Sequence, residues 1–154
     1  MNMNNQFIDK QEINDLLALY AHYADTRQAE KQADLFTADA VVNIFSSPEA
    51  EEPAGHIENR NDLIEGFKAL KQYLQTFHFN GQSLLTVDPD GQQATGETYN
   101  LAHHIKLVDG KRTMMVMAIR YKDVFVKLNG MWLFKKRDLY IQWVDTHTLN
   151  EEQI

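Results

Sequence analysis

The chain has no cysteine and only three prolines among its 154 residues. Without a thiol there is no disulfide, no thiolate nucleophile and no cysteine-based zinc or iron–sulfur site. Positive charge is also scarce. Fifteen Lys and Arg stand against 22 Asp and Glu, for a formal net charge of −7 and a pI of about 5.3. That balance argues against a nucleic-acid backbone or an anionic membrane as a partner. No stretch approaches the ~20 apolar residues of a transmembrane helix, and the opening MNMNNQFIDKQE lacks the apolar run of a signal peptide. The expectation from these absences is a cytoplasmic protein. There is no internal repeat, no low-complexity tract and no nucleotide-binding motif. Neither HxH nor HExxH spacing occurs, so no metal and no cofactor is expected.

What is present is enough apolar residue for a core: 44% of the chain is hydrophobic and 10% aromatic. The length suits one domain spanning 1–154, with residues 1–9 flexible and 146–154 a C-terminal tail. Ile13, Leu16, Leu17, Tyr20, Ala21 and Ala24 recur at three- and four-residue spacing, which predicts a helix over 10–27. A shorter helix is expected at 29–36 and a strand at 40–45. The segment 46–55 is acidic, holds two of the prolines and reads as a loop. A third helix is expected at 60–75, capped by Asn59 or Asn61. From residue 77 the pattern changes. Turn chemistry at DPDG (88–91), VDGK (108–111) and LNG (128–130) separates four long strands near 77–87, 92–107, 112–127 and 131–145. Consecutive hairpins make a mainly antiparallel sheet, and strands of ~15 residues in so small a domain must twist strongly. MMVMAI (114–119) is apolar on both faces, so both faces of that strand should be covered. Helices cover one, and a second copy of the chain is the expected cover of the other, giving a homodimer or other homo-oligomer.

The order of elements, helices first and then a long curled sheet, resembles the nuclear transport factor 2-like fold, and more closely its SnoaL-like and scytalone dehydratase-like branch. Tyr20 followed by Asp25, Phe36 with Asp39-Ala40, Tyr121 with Asp123, and Gly130, Trp132 and Arg137 carry the likeness, within LYAHYADTRQAEKQADLFTADAVVNIF (19–45), FHFNGQ (77–82), ATGETYNLAHH (94–104) and RYKDVFVKLNGMWLFKKRDLYIQW (120–143). The resemblance implies an α+β cone, its N-terminal helices enclosing a pocket against the concave face of the sheet. It also implies an aspartate on the first helix paired with a histidine at the start of a later strand, here Asp25 and His78, and a second histidine at His103 or His104.

Such a set suits acid–base chemistry without a cofactor. Removing a group beta to a carbonyl needs a base for a carbon-bound proton and an acid for the leaving oxygen. A carboxylate on the ring N–H fixes the tautomer and stabilises the imidazolium. Tyr20 sits in the apolar stripe of the first helix and points either into the pocket or into the core. Strand parity puts His103 with Tyr99, Leu101, Ile105 and Leu107, and His104 with Asn100 and Lys106. The first set is apolar and so is the expected covered face, which favours His103 as the interior histidine; a β-bulge would exchange the two. The wall of the pocket is expected to include Phe36, Ile44, Phe67, Met115, Met117 and Trp132, an adaptable apolar lining for a hydrophobic small molecule. Arg120 either binds an oxyanion there or pairs with a neighbouring strand. Arg137 is expected to form a structural salt bridge, with Asp123 as its partner. The functional expectation is a cofactor-independent, dehydratase-like lyase or isomerase. The alternatives are a non-catalytic small-molecule binder and the small subunit of a larger enzyme such as a ring-hydroxylating dioxygenase.

Overall fold

A computed structural model describes residues 3–150. In chain order they form α1 (Met3–Asp25), α2 (Ala29–Ala33), β1 (Phe36–Phe45), β2 (Gly55–Glu58), α3 (Arg60–Lys68), a 3-10 turn (Ala69–Gln72), β3 (Gln75–Val87), β4 (Gln93–Val108), β5 (Lys111–Leu128) and β6 (Met131–Thr148). The six strands make one sheet in the order β2-β1-β6-β5-β4-β3. Every pairing is antiparallel except β1 with β6. The three helices pack on the concave side, and the whole is the expected α+β cone.

Helix α1 buries Ile13, Leu16, Leu17, Ala21 and Ala24, the stripe its spacing predicted. It begins earlier than expected. Residues 3–9, expected to be flexible, are helical, because Asp9 is buried and ties the first turns to the far end of the sheet. Its carboxylate accepts from Lys127 Nζ at 2.8 Å and from Trp132 Nε1 at 3.0 Å. Residues 146–148, expected in a tail, extend β6, since Thr113 at the start of β5 gives Thr148 a partner. Residues 1–2 and 151–154 lie outside the described residues. The third helix ends at Lys68, well short of 75, and passes through the 3-10 turn into β3. Asn59 caps it, its side chain accepting from the Asp62 N–H at 3.1 Å. Strand β2 begins at Gly55, the last residue of the segment read as a loop, and pairs with β1 at the sheet edge.

Burial alternates along β4. Thr98, Asn100, Ala102 and His104 are buried under the helices, whereas Leu101 and Leu107 are exposed on the outer face. The register carries this parity to Tyr121, Ile119, Met117 and Met115 of β5, and to Ser83, Asn80, His78 and Thr76 of β3. A register shift between Asn80 and Ser83 keeps the inner faces aligned across a bend in the edge strand. Most of the core lies toward the closed end of the cone, around Ile13, Leu17, Phe36, Leu63, Phe125 and Phe134.

Candidate functional site

Helix α1 ends in a Schellman arrangement. The Gln28 N–H returns to the Tyr23 carbonyl at 2.9 Å and the Arg27 N–H to the Ala24 carbonyl at 3.3 Å. Arg27 takes the left-handed position of this motif with φ of 60°, where glycine is usual. This stop leaves Asp25 on the last helical turn, aimed at the start of β3. Its Oδ1 lies 2.7 Å from His78 Nδ1 and accepts from Thr76 Oγ1 at 3.0 Å, while Oδ2 accepts from the His78 backbone N–H at 2.9 Å. Arg27 Nη1 donates to Thr76 Oγ1 at 2.6 Å and to the Ala24 carbonyl at 2.9 Å. Since Thr76 accepts from Arg27, its own hydroxyl proton is directed to Asp25. Burial raises the Asp25 pKa, but the bonds from the His78 ring and backbone and from Thr76 outweigh it and hold the carboxyl below its ordinary value. Asp25 is therefore an acceptor only, and Nδ1 of His78 must carry its proton. Nε2 is then the basic nitrogen, and it makes no hydrogen bond among the described residues.

His104 is the interior histidine of the HH pair, 2% exposed. Its ring stands edge-on to His78, centroids 5.5 Å apart, and packs 4.6 Å from Tyr73. Nδ1 of His104 is buried without a partner among the described residues. Burial, reinforced by the neighbouring His78 charge, pushes its pKa down to about 4. His104 is thus neutral near pH 7 and offers one N–H and one lone pair. Below it, Asn100 donates to Asn80 Oδ1 at 2.8 Å, Asn80 donates to the Leu17 carbonyl at 3.1 Å, and Asn100 Oδ1 is buried without a partner among the described residues.

The floor beneath this polar strip is solid. Arg137 is 1% exposed and forms two bonds of 2.8 Å to Asp123. Its guanidinium lies 3.8 Å from the ring centre of Tyr121, 4.2 Å from Tyr20 and 4.4 Å from Phe134. Burial works against the Arg137 charge, but the Asp123 charge and bonds win and hold its pKa above the ordinary value. Tyr20 also meets Phe36 and Phe67 edge-on.

Residues 6–138 match the family model of the SnoaL-like domain. The chain belongs to the SnoaL-like family. Among solved structures, a protein provisionally assigned as a scytalone dehydratase from Novosphingobium aromaticivorans is similar at a TM-score of 0.79 and 19% identity, over 97% of this chain and 94% of that one. A type 2 hexachlorocyclohexane dehydrochlorinase is similar at 0.78 and 18%, over 97% and 95%. The beta subunit of a provisionally assigned aromatic-ring-hydroxylating dioxygenase from N. aromaticivorans is similar at 0.74 and 20%, over 90% and 92%. At these identities the likeness is one of fold. Comparison with curated proteins finds no match.

In this SnoaL-like chain the structure brings Asp25, His78 and His104 together and leaves several other expected site residues elsewhere. His103 is on the outer face, its Nδ1 3.1 Å from the Phe77 carbonyl. The apolar set that suggested it was interior covers the convex side of the sheet. Arg120 is also outside, paired with Glu97 and 5.1 Å over the Tyr99 ring. Trp132 belongs to the closed end of the core, bonded to Asp9. Tyr20, Phe36 and Phe67 are interior but packed against one another, not along a void. Ile44 is on the concave face, its cross-strand partner Leu139 packing with Tyr121, Ile119 and Ala102, at the Gly55 end of the sheet. Met115 and Met117 lie on the concave face opposite His104 and Ala102. Five cavities among the described residues lie elsewhere, and none of the five is lined by Asp25, His78 or His104. Sequence reading missed Thr76, Asn80 and Asn100. Their even-numbered parity with His78 and His104 was available as a signal, but polar strand residues read equally well as solvent-facing. No three metal-ligating side chains converge among the described residues, and no described helix is long and apolar enough to cross a membrane.

Proposed function

We propose that this chain is a cofactor-independent lyase or isomerase, dehydratase-like, acting on a hydrophobic small molecule at the Asp25–His78 pair. The observation that carries the reading is the two-point hold of Asp25 on His78, through ring and backbone, on the concave face of the sheet. A carboxylate so fixed leaves Nε2 as a base of set direction and stabilises the imidazolium formed when it takes a proton. In an elimination, Nε2 removes the proton alpha to a carbonyl. The C–H electrons form the new double bond and the bond to the beta oxygen breaks. The proton taken by His78 passes to the departing oxygen, which leaves as water and returns His78 to its neutral form, while the N–H of neutral His104 hydrogen-bonds that oxygen. Met115 and Met117 supply adaptable apolar contact beside it. Tyr73 packs on His104, so a substrate that engages the His104 ring from that side displaces the Tyr73 ring.

A second reading, a binder without turnover, is supported by His104 Nδ1 and Asn100 Oδ1, buried without partners among the described residues and able to hold polar groups of a ligand without any chemistry. The test is turnover of activated β-hydroxy carbonyl compounds of polycyclic or polyketide type. His78→Ala and Asp25→Asn are expected to lower kcat by at least ~100-fold, the ordinary contribution of a positioned base. A ligand that binds between α1 and the sheet and is recovered unchanged by the intact chain supports the binder instead.

A further inference from the structure

Four residues other than glycine take a positive φ among the described residues. Asn59, Asp109 and Asn129 are of the types that tolerate this region best after glycine. Arg27, at φ of 60°, is not. It stands where α1 ends, and the backbone alone completes that stop. The Arg27 and Gln28 N–H groups already return to the Ala24 and Tyr23 carbonyls. A glycine there would satisfy the helix with less strain, so the reason for an arginine lies in its side chain.

That side chain reaches away from the helix. Nη1 lies 2.9 Å from the Ala24 carbonyl, which already accepts the Arg27 N–H, and 2.6 Å from Thr76 Oγ1 on β3. A guanidinium only donates, and a threonine hydroxyl has a single proton. With Arg27 on its lone pair, Thr76 turns that proton to Asp25 Oδ1 at 3.0 Å. The His78 ring meets the same oxygen through Nδ1 at 2.7 Å. One chain of hydrogen bonds therefore runs from Arg27 through Thr76 and Asp25 to His78, and its direction is set at the arginine.

We propose that Arg27 and Thr76 are positioning residues for the base at His78. Arg27 fixes the Thr76 hydroxyl, the hydroxyl fixes the Asp25 carboxylate, and the carboxylate keeps the His78 proton on Nδ1. The inference rests on the reading of Nε2 as the base and adds what selects it. Without the arginine, the Thr76 proton is free to turn to another acceptor. Asp25 Oδ1 then keeps only the ring of His78, and the carboxylate is held against rotation by His78 alone. A ring with a loosened partner can tip, or take the tautomer that carries its proton on Nε2 and leaves no base facing a substrate. The other histidine feels the same side chain. Burial is the main cause that keeps His104 neutral, and the Arg27 charge adds to it. One arginine thus helps to separate two histidines whose rings are 5.5 Å apart into a paired base and a neutral neighbour.

The test is nitrogen-15 NMR of the histidine rings in the full chain, with His78 assigned by the signals that His78→Gln removes. The unaltered chain is expected to show one His78 tautomer, its proton on Nδ1 and in slow exchange with water. Thr76→Val keeps the shape and removes the hydroxyl. Arg27→Gly keeps the helix stop and removes the side chain. Each is expected to speed exchange of the Nδ1 proton by about 10-fold or more, the loss that goes with one hydrogen bond to a charged group, and to bring in the Nε2-protonated form. Thr76→Ser is expected to restore the original signal, which a role in packing alone would not do. Exchange and tautomer unchanged in either Thr76→Val or Arg27→Gly overturn the proposal and leave the Asp25–His78 pair intact. So does a Thr76→Ser chain that behaves like Thr76→Val. An Arg27→Gly chain that does not fold shows that the helix stop needs the arginine, and overturns its assignment as a positioning residue. An unaltered chain with its His78 proton on Nε2 removes the reading of His78 as the base itself. None of these readouts needs a substrate.

Discussion

Asp25 and His78 lie 53 residues apart and meet because a helix end and a strand start are brought into register. His104, next to them, makes the site sensitive to pH through stability. Its folded pKa of about 4 lies below the ordinary 6.5. Between those values the unfolded chain holds a proton that the folded chain rejects. Stability from this residue is therefore complete above about pH 6.5 and is lost as pH falls toward 4. The loss between about pH 7.5 and about pH 5 is expected to be roughly 2 kcal/mol, read from urea midpoints at the two pH values. His104→Phe should flatten that slope. Asp25, whose pKa is lowered, adds its own loss only when pH falls below the ordinary carboxyl value, outside this window.

At the scale of elements, the starts and stops of the helices aim the site. Asn59 does two things at the entrance to α3. Its side chain caps the Asp62 N–H, and its backbone sits at φ 65° and ψ 156°, a region glycine tolerates best. Asn59→Ala loses the cap and adds strain, for an expected cost of about 2 kcal/mol. Asn59→Gly loses the cap alone and should cost clearly less. Equilibrium denaturation of the two variants separates the contributions. The boundaries that sequence reading misplaced were set by distant partners. The first turns of α1 are held by Lys127 and Trp132, and the end of β6 is held by the start of β5. Periodicity reports which residues are apolar along a segment, and it contains no record of what will dock on the segment's ends.

For the molecule as a whole, the Arg137–Asp123 pair joins α1, β5 and β6 at the floor of the cone. Sequence reading anticipated this pairing, because the two residues sit on adjacent strands of one hairpin. It did not show that three aromatic rings enclose the guanidinium. Arg137→Met leaves Asp123 as an uncompensated buried charge and should cost about 3–5 kcal/mol. Arg137→Met with Asp123→Leu should recover much of that, measured by thermal or urea unfolding. A double variant no more stable than the single one would show that ring packing around the cation, and not charge burial, sets the cost.

The sequence by itself determined the class and order of the elements: the apolar spacing of α1, the three hairpin turns and the motifs that run from Tyr20 to Arg137. Those are local properties, written in periods of 3.6 and 2 and in turn residues. It also determined that residues 99–107 present one apolar and one polar face. Only the tertiary structure decided which face looks inward, because alternation specifies two sides of a strand without naming them. The helices settled on the polar side, with His104 and Asn100, and left the apolar side of His103 and Leu101 outward. The inner face is shielded by helices that hydrogen-bond its polar groups, while the outer face carries Phe77, Phe79 and Leu107 exposed, beyond the reach of those helices.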